Sequence, residues 1–384
     1  MRLGIVTDCV HFKNSDGKVG TETHILLKQL ESLAVYFKTV TICCPFTEYD
    51  KDVVASYYSL NNIEFVPVPN VGGNSFFEKL TLLKTIPKWW RAFKKMDRIT
   101  DLVYQRFPNN LNIPGFFYFY FKKKKVFATY TGTWNNYKRE PVTYRFQKKM
   151  LQKYFRGPVW AYLEHDSPND RIHKGFSPSY HQSVWDEESE FVNKRLEKLY
   201  HPSPKDLKLI SVGTFNKNKN QQLILDACLI LKKKDIPFTL TLVGDGPLKK
   251  TYEQFIKANN LETAIFIAGK KTAEELRLLY RKNDFVVQAP IREGFGKVPI
   301  EGFFHGLVPV LSNVSLAKSI TLNGQRGFVF KSDSVTDLVT ICTEIYQNKY
   351  SLSNVILAGR EFAKSQTLES WALEYVNTVQ QFYR

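Results

Sequence analysis

Strand-length runs of apolar, often β-branched residues alternate along this chain with longer stretches of helical spacing, and that alternation leaves few architectures open. Strands separated by a helix cannot pair through a tight hairpin; they line up in parallel through crossover connections, with helices covering the sheet. A first series runs through Leu3–Val10, Val40–Phe46, Asp101–Phe107, Lys125–Thr131 and Val159–Leu163. Between its first two members, Ile25, Leu26, Leu30 and Leu33 have the spacing of one face of an amphipathic helix. After a looser polar stretch a second series opens at Leu207–Gly213 and continues with Phe238–Gly244, Ala264–Gly269, Asp284–Pro290 and Val308–Ser312. The prolines of His201–Asp206 punctuate the chain between them. We therefore expect an α/β protein of two facing Rossmann-like domains, 1–200 and 201–365, with the ligand cleft between them at the carboxyl ends of the strands.

Charge and composition narrow the partners. The 384 residues carry a formal charge of +17 and include 29 Phe and 20 Tyr. Such an excess either attracts anions (phosphorylated ligands, an anionic membrane surface or nucleic acid) or is a surface low in acidic residues without a specific partner. No nucleic-acid-binding module is recognisable, so nucleic acid is not expected. Basic and aromatic residues interleave in Phe76–Met96, which includes Lys79, Leu80, Leu83, Trp89, Trp90, Arg91 and Phe93, and again in Tyr137–Arg156. Two readings stay open there: a helix lying on an anionic leaflet, or core aromatics beside a solvated basic face. Cys9, Cys43, Cys44, Cys228 and Cys342 are odd in number and include no Cys-x-x-Cys pair. They read as reduced thiols. The first residues read as a strand instead of a signal peptide. No apolar run approaches the ~20 residues of a bilayer span. A cytoplasmic location is expected, at most peripheral to the inner face of the cell membrane.

Chemistry concentrates where strands of the second series end. Gly213 opens a polar loop bearing Thr214, Lys217 and Lys219, and a lysine there can reach a phosphate. Gly244-Asp245-Gly246-Pro247 forms a second turn, and Gly269-Lys270 a third. The segment after Pro290 carries most information: Glu293, Gly294, Phe295, Gly296 and Lys297 lead into a helix that includes Glu301. The glycines let backbone amides approach a ligand, and the helix directs its positive end toward an anion. Both glutamates then border one pocket.

Taken together these segments resemble the large retaining glycosyltransferase family 4, of GT-B fold, whose members share a Glu-x7-Glu element in a Glu-Gly-Phe-Gly context. The resemblance implies that Lys219 binds the diphosphate of a nucleoside diphosphate sugar, helped by the amides of Gly296 and Lys297. It implies that Glu301 holds the ribose, that Glu293 contacts the transferred sugar, and that the base lies near Gly269 and Lys270. It also implies that residues 366–384, with Trp371 as anchor, form a helix returning to the first domain. Many relatives carry Arg where this chain has Thr214, a hydroxyl that cannot replace a bidentate guanidinium; Lys217 or Lys297 is the expected substitute. In the first half, Gly20 resembles the glycine that lets donor phosphates or acceptor approach. Relatives often place a catalytic His where this chain has Thr131, and His165 is the candidate replacement. Asp50-Lys51-Asp52 reads as a solvated turn, and no metal is expected. The implied reaction is transfer of a hexosyl unit, from a UDP-sugar in preference to a GDP-sugar, to a hydroxyl of a glycan or lipid-linked glycan. A 2-epimerase of the same fold and a non-catalytic nucleotide-sugar-binding protein are the rival readings.

Overall fold

The computed structural model describes residues 1–48, 55–70, 76–199, 206–347 and 351–384. They fall into two compact units: Met1–Ser179 with Leu368–Arg384, and Tyr180–Thr367.

The first unit contains β1 (Arg2–Val6), β2 (Phe12–Lys13), β3 (Val19–Thr21), α1 (His24–Ala34), β4 (Thr39–Phe46), β5 (Ser56–Tyr57) and β6 (Ile63–Pro69). These are followed by α2 (Phe76–Ile99), β7 (Leu102–Phe107), α3 (Asn112–Phe121), β8 (Lys125–Tyr130), α4 (Val142–Lys153), β9 (Val159–Ala161) and β10 (Ile172–Lys174). Among the described residues, seven parallel strands run in the order β10-β9-β8-β7-β1-β4-β6, and β2, β3 and β5 make a small antiparallel sheet. Strand β6 is absent from the expected series because Pro67 and Pro69 argue against a central strand. It lies at the sheet edge, where proline is tolerated.

On one sheet face α1 buries Leu26, Leu30 and Leu33. On the other, α2 and α3 bury Trp89, Phe93, Met96, Phe116 and Phe119. The basic-aromatic stretch of α2 is thus divided. Trp89 and Phe93 are core, whereas Lys84, Lys88, Arg91, Lys94, Lys95 and Trp90 are exposed. Side chains at the helix start, including Phe76, Lys79, Leu80 and Leu83, lie outside the described residues. In the Tyr137–Arg156 segment Lys148 is no surface charge: it is buried and paired with Glu140 at 2.7 Å.

The second unit contains α5 (Gln182–Leu199), β11 (Leu207–Val212), α6 (Gln221–Lys233), β12 (Phe238–Val243), α7 (Lys249–Ala258), β13 (Ile265–Gly269) and α8 (Ala273–Lys282). It continues with β14 (Phe285–Gln288), α9 (Lys297–Phe304), β15 (Val308–Ser312), α10 (Ala317–Thr321), β16 (Phe328–Phe330), α11 (Val335–Tyr346) and α12 (Leu352–Lys364). Among the described residues its six parallel strands run β13-β12-β11-β14-β15-β16. Helix α5, which precedes the expected linker, packs with this unit: Arg195 bonds Asp284 at 2.7 Å, and Trp185 donates to the Arg360 carbonyl at 3.0 Å. The division between the units therefore falls at Ser179/Tyr180 instead of 200/201. Of the linker His201–Asp206, all but Asp206 lies outside the described residues.

The final helix, α13 (Leu368–Phe382), belongs to the first unit. Trp371 is buried there, Tyr375 stacks on Trp160 with ring centroids 3.8 Å apart, and Trp160 Nε1 donates to Glu374 at 2.8 Å.

Candidate active site

Parallel strands bring their carboxyl ends to one edge of the sheet, and in the second unit the loops leaving that edge interlock. The Gly213 amide bonds the Val243 carbonyl at 2.9 Å, and the Gly244 amide bonds the Gly269 carbonyl at 2.9 Å. A Cβ on Gly244 would lie 2.1 Å from the Gly213 carbonyl oxygen, so only glycine lets these turns sit side by side. Gly269 ends β13, and Lys270 after it is exposed.

The loop between β11 and α6 is shaped by its own side chains. Asn216 Oδ1 accepts from the Lys219 amide at 2.9 Å, and Gln221 Nε2 donates to the Thr214 carbonyl at 3.3 Å. Thr214 and Lys217 are exposed. Lys219 lays its methylenes over Gly213 and reaches Glu293, Nζ to Oε2 2.5 Å, with the two side chains 26% and 27% exposed. The Asn218 carbonyl accepts from the Ile291 amide at 2.8 Å, and Asn218 Nδ2 donates to the Arg292 carbonyl at 2.9 Å. Two loops more than seventy residues apart in sequence are thereby joined beside the Lys219–Glu293 pair.

Glu293 also accepts from the Gly294 amide at 3.1 Å, and Ser315 holds the Gly294 carbonyl at 2.6 Å. Phe295 is buried. Gly296, at φ +82°, turns the chain into α9, whose first residue is Lys297. Glu301, one turn into α9, is only 6% exposed, and its Oε2 accepts the Tyr280 hydroxyl at 2.9 Å. The structure thus gathers Gly213, Lys219, Glu293, Gly294, Gly296 and Glu301 at one end of one sheet.

The candidates of the first unit have other surroundings. Gly20 is inside β3, and a Cβ there would meet the Ser56 carbonyl at 2.7 Å; the close approach it permits is that of a neighbouring strand. Thr131 is committed to the end of β7, its amide and hydroxyl bonding the Phe107 carbonyl at 2.7 and 3.0 Å. His165 is exposed in a bend after β9. Asp50, Lys51 and Asp52 lie outside the described residues. Among the described residues no group of three or more His, Cys, Asp or Glu side chains is placed to hold a metal ion. No described helix is long and apolar enough to cross a membrane.

Some functional-looking residues have no role that their type and spacing announce, although Tyr280 and His305 lie in segments, 276–290 and 305–313, that share the resemblance. Tyr280 reads as part of an amphipathic helix, and His305 as the end of one. Glu188 falls in the polar stretch before the linker. Yet all three are buried together behind Glu301. Arg106, at the end of β7, donates to the Tyr104 hydroxyl at 3.0 Å and to Gln29 at 3.5 Å. It reads as an ordinary strand residue.

Residues 194–362 match the family described as glycosyl transferases group 1. An uncharacterised glycosyltransferase of Methanocaldococcus jannaschii is 31% identical over 178 residues, which are 46% of this chain and 48% of that protein. The amylovoran biosynthesis glycosyltransferase AmsK of Erwinia amylovora is 25% identical over 186 residues, 47% of this chain and 44% of that one. The chain spans about half the length of the curated relatives it matches. Across its whole length the fold is that of Anabaena HepE, solved in complex with UDP: TM-score 0.69, 13% identity, covering 99% of this chain and 100% of that one. This chain, with its two Rossmann-like units, has a fold of GT-B type.

Proposed function

We propose that this chain, whose second unit carries the group 1 glycosyl transferase domain, moves a hexosyl unit from a UDP-sugar to a hydroxyl of a glycan acceptor with retention of anomeric configuration. The observation that carries the reading is the Lys219–Glu293 pair at the mouth of the Gly213 and Gly296 turns, with Glu301 buried one helical turn beyond it. In this reading the ammonium of Lys219 exchanges Glu293 for the donor diphosphate, and the N-terminus of α9 adds amide donors to the same charge. Glu293, released, turns to the hydroxyls of the transferred sugar, and Glu301 takes the ribose. The bond from sugar to diphosphate breaks while the acceptor oxygen bonds the same face of the anomeric carbon, and the proton of the acceptor hydroxyl passes to the departing diphosphate oxygen. Fixed cationic groups stabilise the departing diphosphate, which is the main catalytic term and requires no metal ion. HepE was solved with UDP, which supports the choice of nucleotide. AmsK is named for amylovoran biosynthesis, which supports a glycan acceptor.

Calorimetric titration and a UDP-release assay test the proposal. UDP binds, UDP is released from a UDP-sugar only when acceptor is present, and release persists in excess EDTA. Failure to bind UDP sinks the nucleotide assignment, and loss of release with EDTA, restored by magnesium or manganese, sinks metal independence. Glu293→Ala lowers turnover more than it lowers UDP affinity.

The acceptor side is proposed to work at an anionic membrane surface. Lys84, Lys88, Arg91, Lys94 and Lys95 are exposed along α2, with Trp90 41% exposed among them; Phe121 ends α3 at 72% exposed, beside exposed Lys122 and Lys123. Sedimentation with vesicles decides this. Binding requires anionic lipid, weakens as salt rises, and drops when Lys88, Arg91, Lys94 and Lys95 become Gln. Equal binding to neutral and anionic vesicles, or none to either, refutes it.

A further inference from the structure

A buried polar chain stands behind the candidate site and has no role in the reading above. Helix α8 sends Arg277, Tyr280 and Arg281 toward α5 and α9. Tyr280 is completely buried, and its hydroxyl lies 2.9 Å from Glu301 Oε2. The phenol is the donor in that bond and the carboxylate oxygen its acceptor. Burial, reinforced by the charge of Glu301, holds that phenol well above its ordinary pKa, and its proton stays in place.

The phenol ring is itself braced. His305, fully buried, stacks on it with centroids 5.2 Å apart and planes 20° off parallel. His305 Nδ1 lies 3.1 Å from Glu188 Oε2, and its Nε2 is 3.5 Å from the Tyr180 hydroxyl. Burial lowers the imidazole pKa despite the pull of Glu188. Glu188 is gripped in turn by Arg277 at 2.8 Å and by Arg281 at 2.7 and 3.0 Å. Burial works to raise the Glu188 pKa, but bonds from His305, Arg281 and Arg277 bring it well below the usual carboxylate range. Desolvating such groups is costly, and apolar side chains of similar volume would often pack at least as stably. A stability role alone therefore accounts poorly for this arrangement, whereas a geometric role accounts for its direction: each member restrains the next, and the last bond ends on Glu301.

We propose that Tyr280 is the positioning residue of Glu301, holding the carboxylate in the rotamer that receives the ribose before the nucleotide arrives, with the His305–Glu188 pair keeping the phenol in place. The proposal rests on the reading of Glu301 as the ribose residue. Preorganisation of this kind removes an ordering cost from binding. It acts only through Glu301, and only on ligand hydroxyls that Glu301 meets.

The test measures UDP and 2′,3′-dideoxy-UDP affinities for the wild-type chain and for Tyr280→Phe by calorimetry. Wild type favours UDP by roughly tenfold or more, the worth of hydrogen bonds to a charged group. In Tyr280→Phe that preference shrinks to within about threefold, while dideoxy-UDP binds both proteins alike. Equal preference in wild type and variant overturns the positioning role. No preference in wild type overturns the ribose reading beneath it, a separate result. If Tyr280→Phe folds poorly, His305→Gln, which keeps the phenol but removes the ring stacked on it, is measured in the same way. Its preference for UDP over dideoxy-UDP also shrinks, and a preference equal to that of wild type overturns the proposal.

Discussion

Lys219 in the second unit and Lys148 in the first each pair with a glutamate, at 2.5 and 2.7 Å, and the resemblance ends there. Lys219 and Glu293 stand at a strand-end turn, each about a quarter exposed, where water and ligand can compete for both. Lys148 and Glu140 are 4% and 0% exposed, and Lys148 also donates to the Trp134 carbonyl and to Asn136, each at 2.9 Å. The ammonium is bonded by two protein oxygens, its charge is paired with Glu140, and it is buried out of a ligand's reach. An ion pair marks a candidate site where it is open enough for a partner to be exchanged, and a structural post where both members are buried. The same contrast separates the units more widely. In the second, Gly213, Gly244 and Gly296 hold polar groups at a strand-end edge. In the first, Gly20 accommodates a neighbouring strand, Thr131 closes a backbone bond, and His11 is sealed in the interior.

Removing one partner of the buried pair strikes hardest at this contrast. Glu140→Ala leaves an ammonium buried without its counter-ion, and is expected to cost about 3–5 kcal/mol of stability. The denaturant midpoint should drop while UDP affinity stays put; the reverse outcome would erase the distinction between the pairs. Lys219→Ala is expected to do the opposite. Turnover falls by roughly 10²–10³-fold, about 2.7–4 kcal/mol, as for the loss of one preorganised group on developing charge. Its thermal midpoint stays close to wild type, because a partly exposed pair adds ~1 kcal/mol or less.

His11 sharpens the comparison through pH. Its Nδ1–H donates to the Cys9 carbonyl at 2.8 Å, so its Nε2 accepts the Tyr58 hydroxyl at 2.9 Å, and burial lowers its pKa to about 4. The unfolded chain protonates His near pH ~6.5, so between ~6.5 and 4 the unfolded state binds the extra proton. Stability is therefore expected to decline as pH falls through that window, by up to about 3 kcal/mol, and His11→Gln should flatten the decline. An identical acid limb in the variant would assign the loss to other groups. The smallest expected effect is that of Thr131→Val. It removes the hydroxyl bond to Phe107 for about 1 kcal/mol and leaves turnover unchanged; a large loss of turnover would give Thr131 a chemical role.

Much of the fold was legible because its signals are local. The strands from Val40, Asp101, Lys125, Leu207, Phe238 and Val308 all stand within a residue of where their apolar runs begin. The short strands β2, β3, β5, β10 and β16 were not legible, since two or three residues carry no period to read; β9, equally short, was legible only because it opens the longer apolar run Val159–Leu163. Within the candidate site, Lys219, Glu293, Gly296 and Glu301 announce themselves by type and spacing. Tyr280 and Glu188 do not, because tyrosine on a helix reads as packing and glutamate reads as surface.

The sequence by itself determined that parallel sheets form, where strand ends meet glycine, and that Glu293 and Glu301 lie on either side of a helix start. Those properties depend on residues within one helical turn or one strand length. Only the tertiary structure decided which charges face a ligand and which are structural. Burial is conferred by residues far away in the chain: Glu188 is enclosed by Arg277, Arg281 and His305 from elements 89 or more positions later. Lys219 meets Glu293 across 74 residues, and Gly20 meets Ser56 across a strand contact. No local pattern encodes such a meeting, because side-chain desolvation depends on what arrives from the rest of the fold.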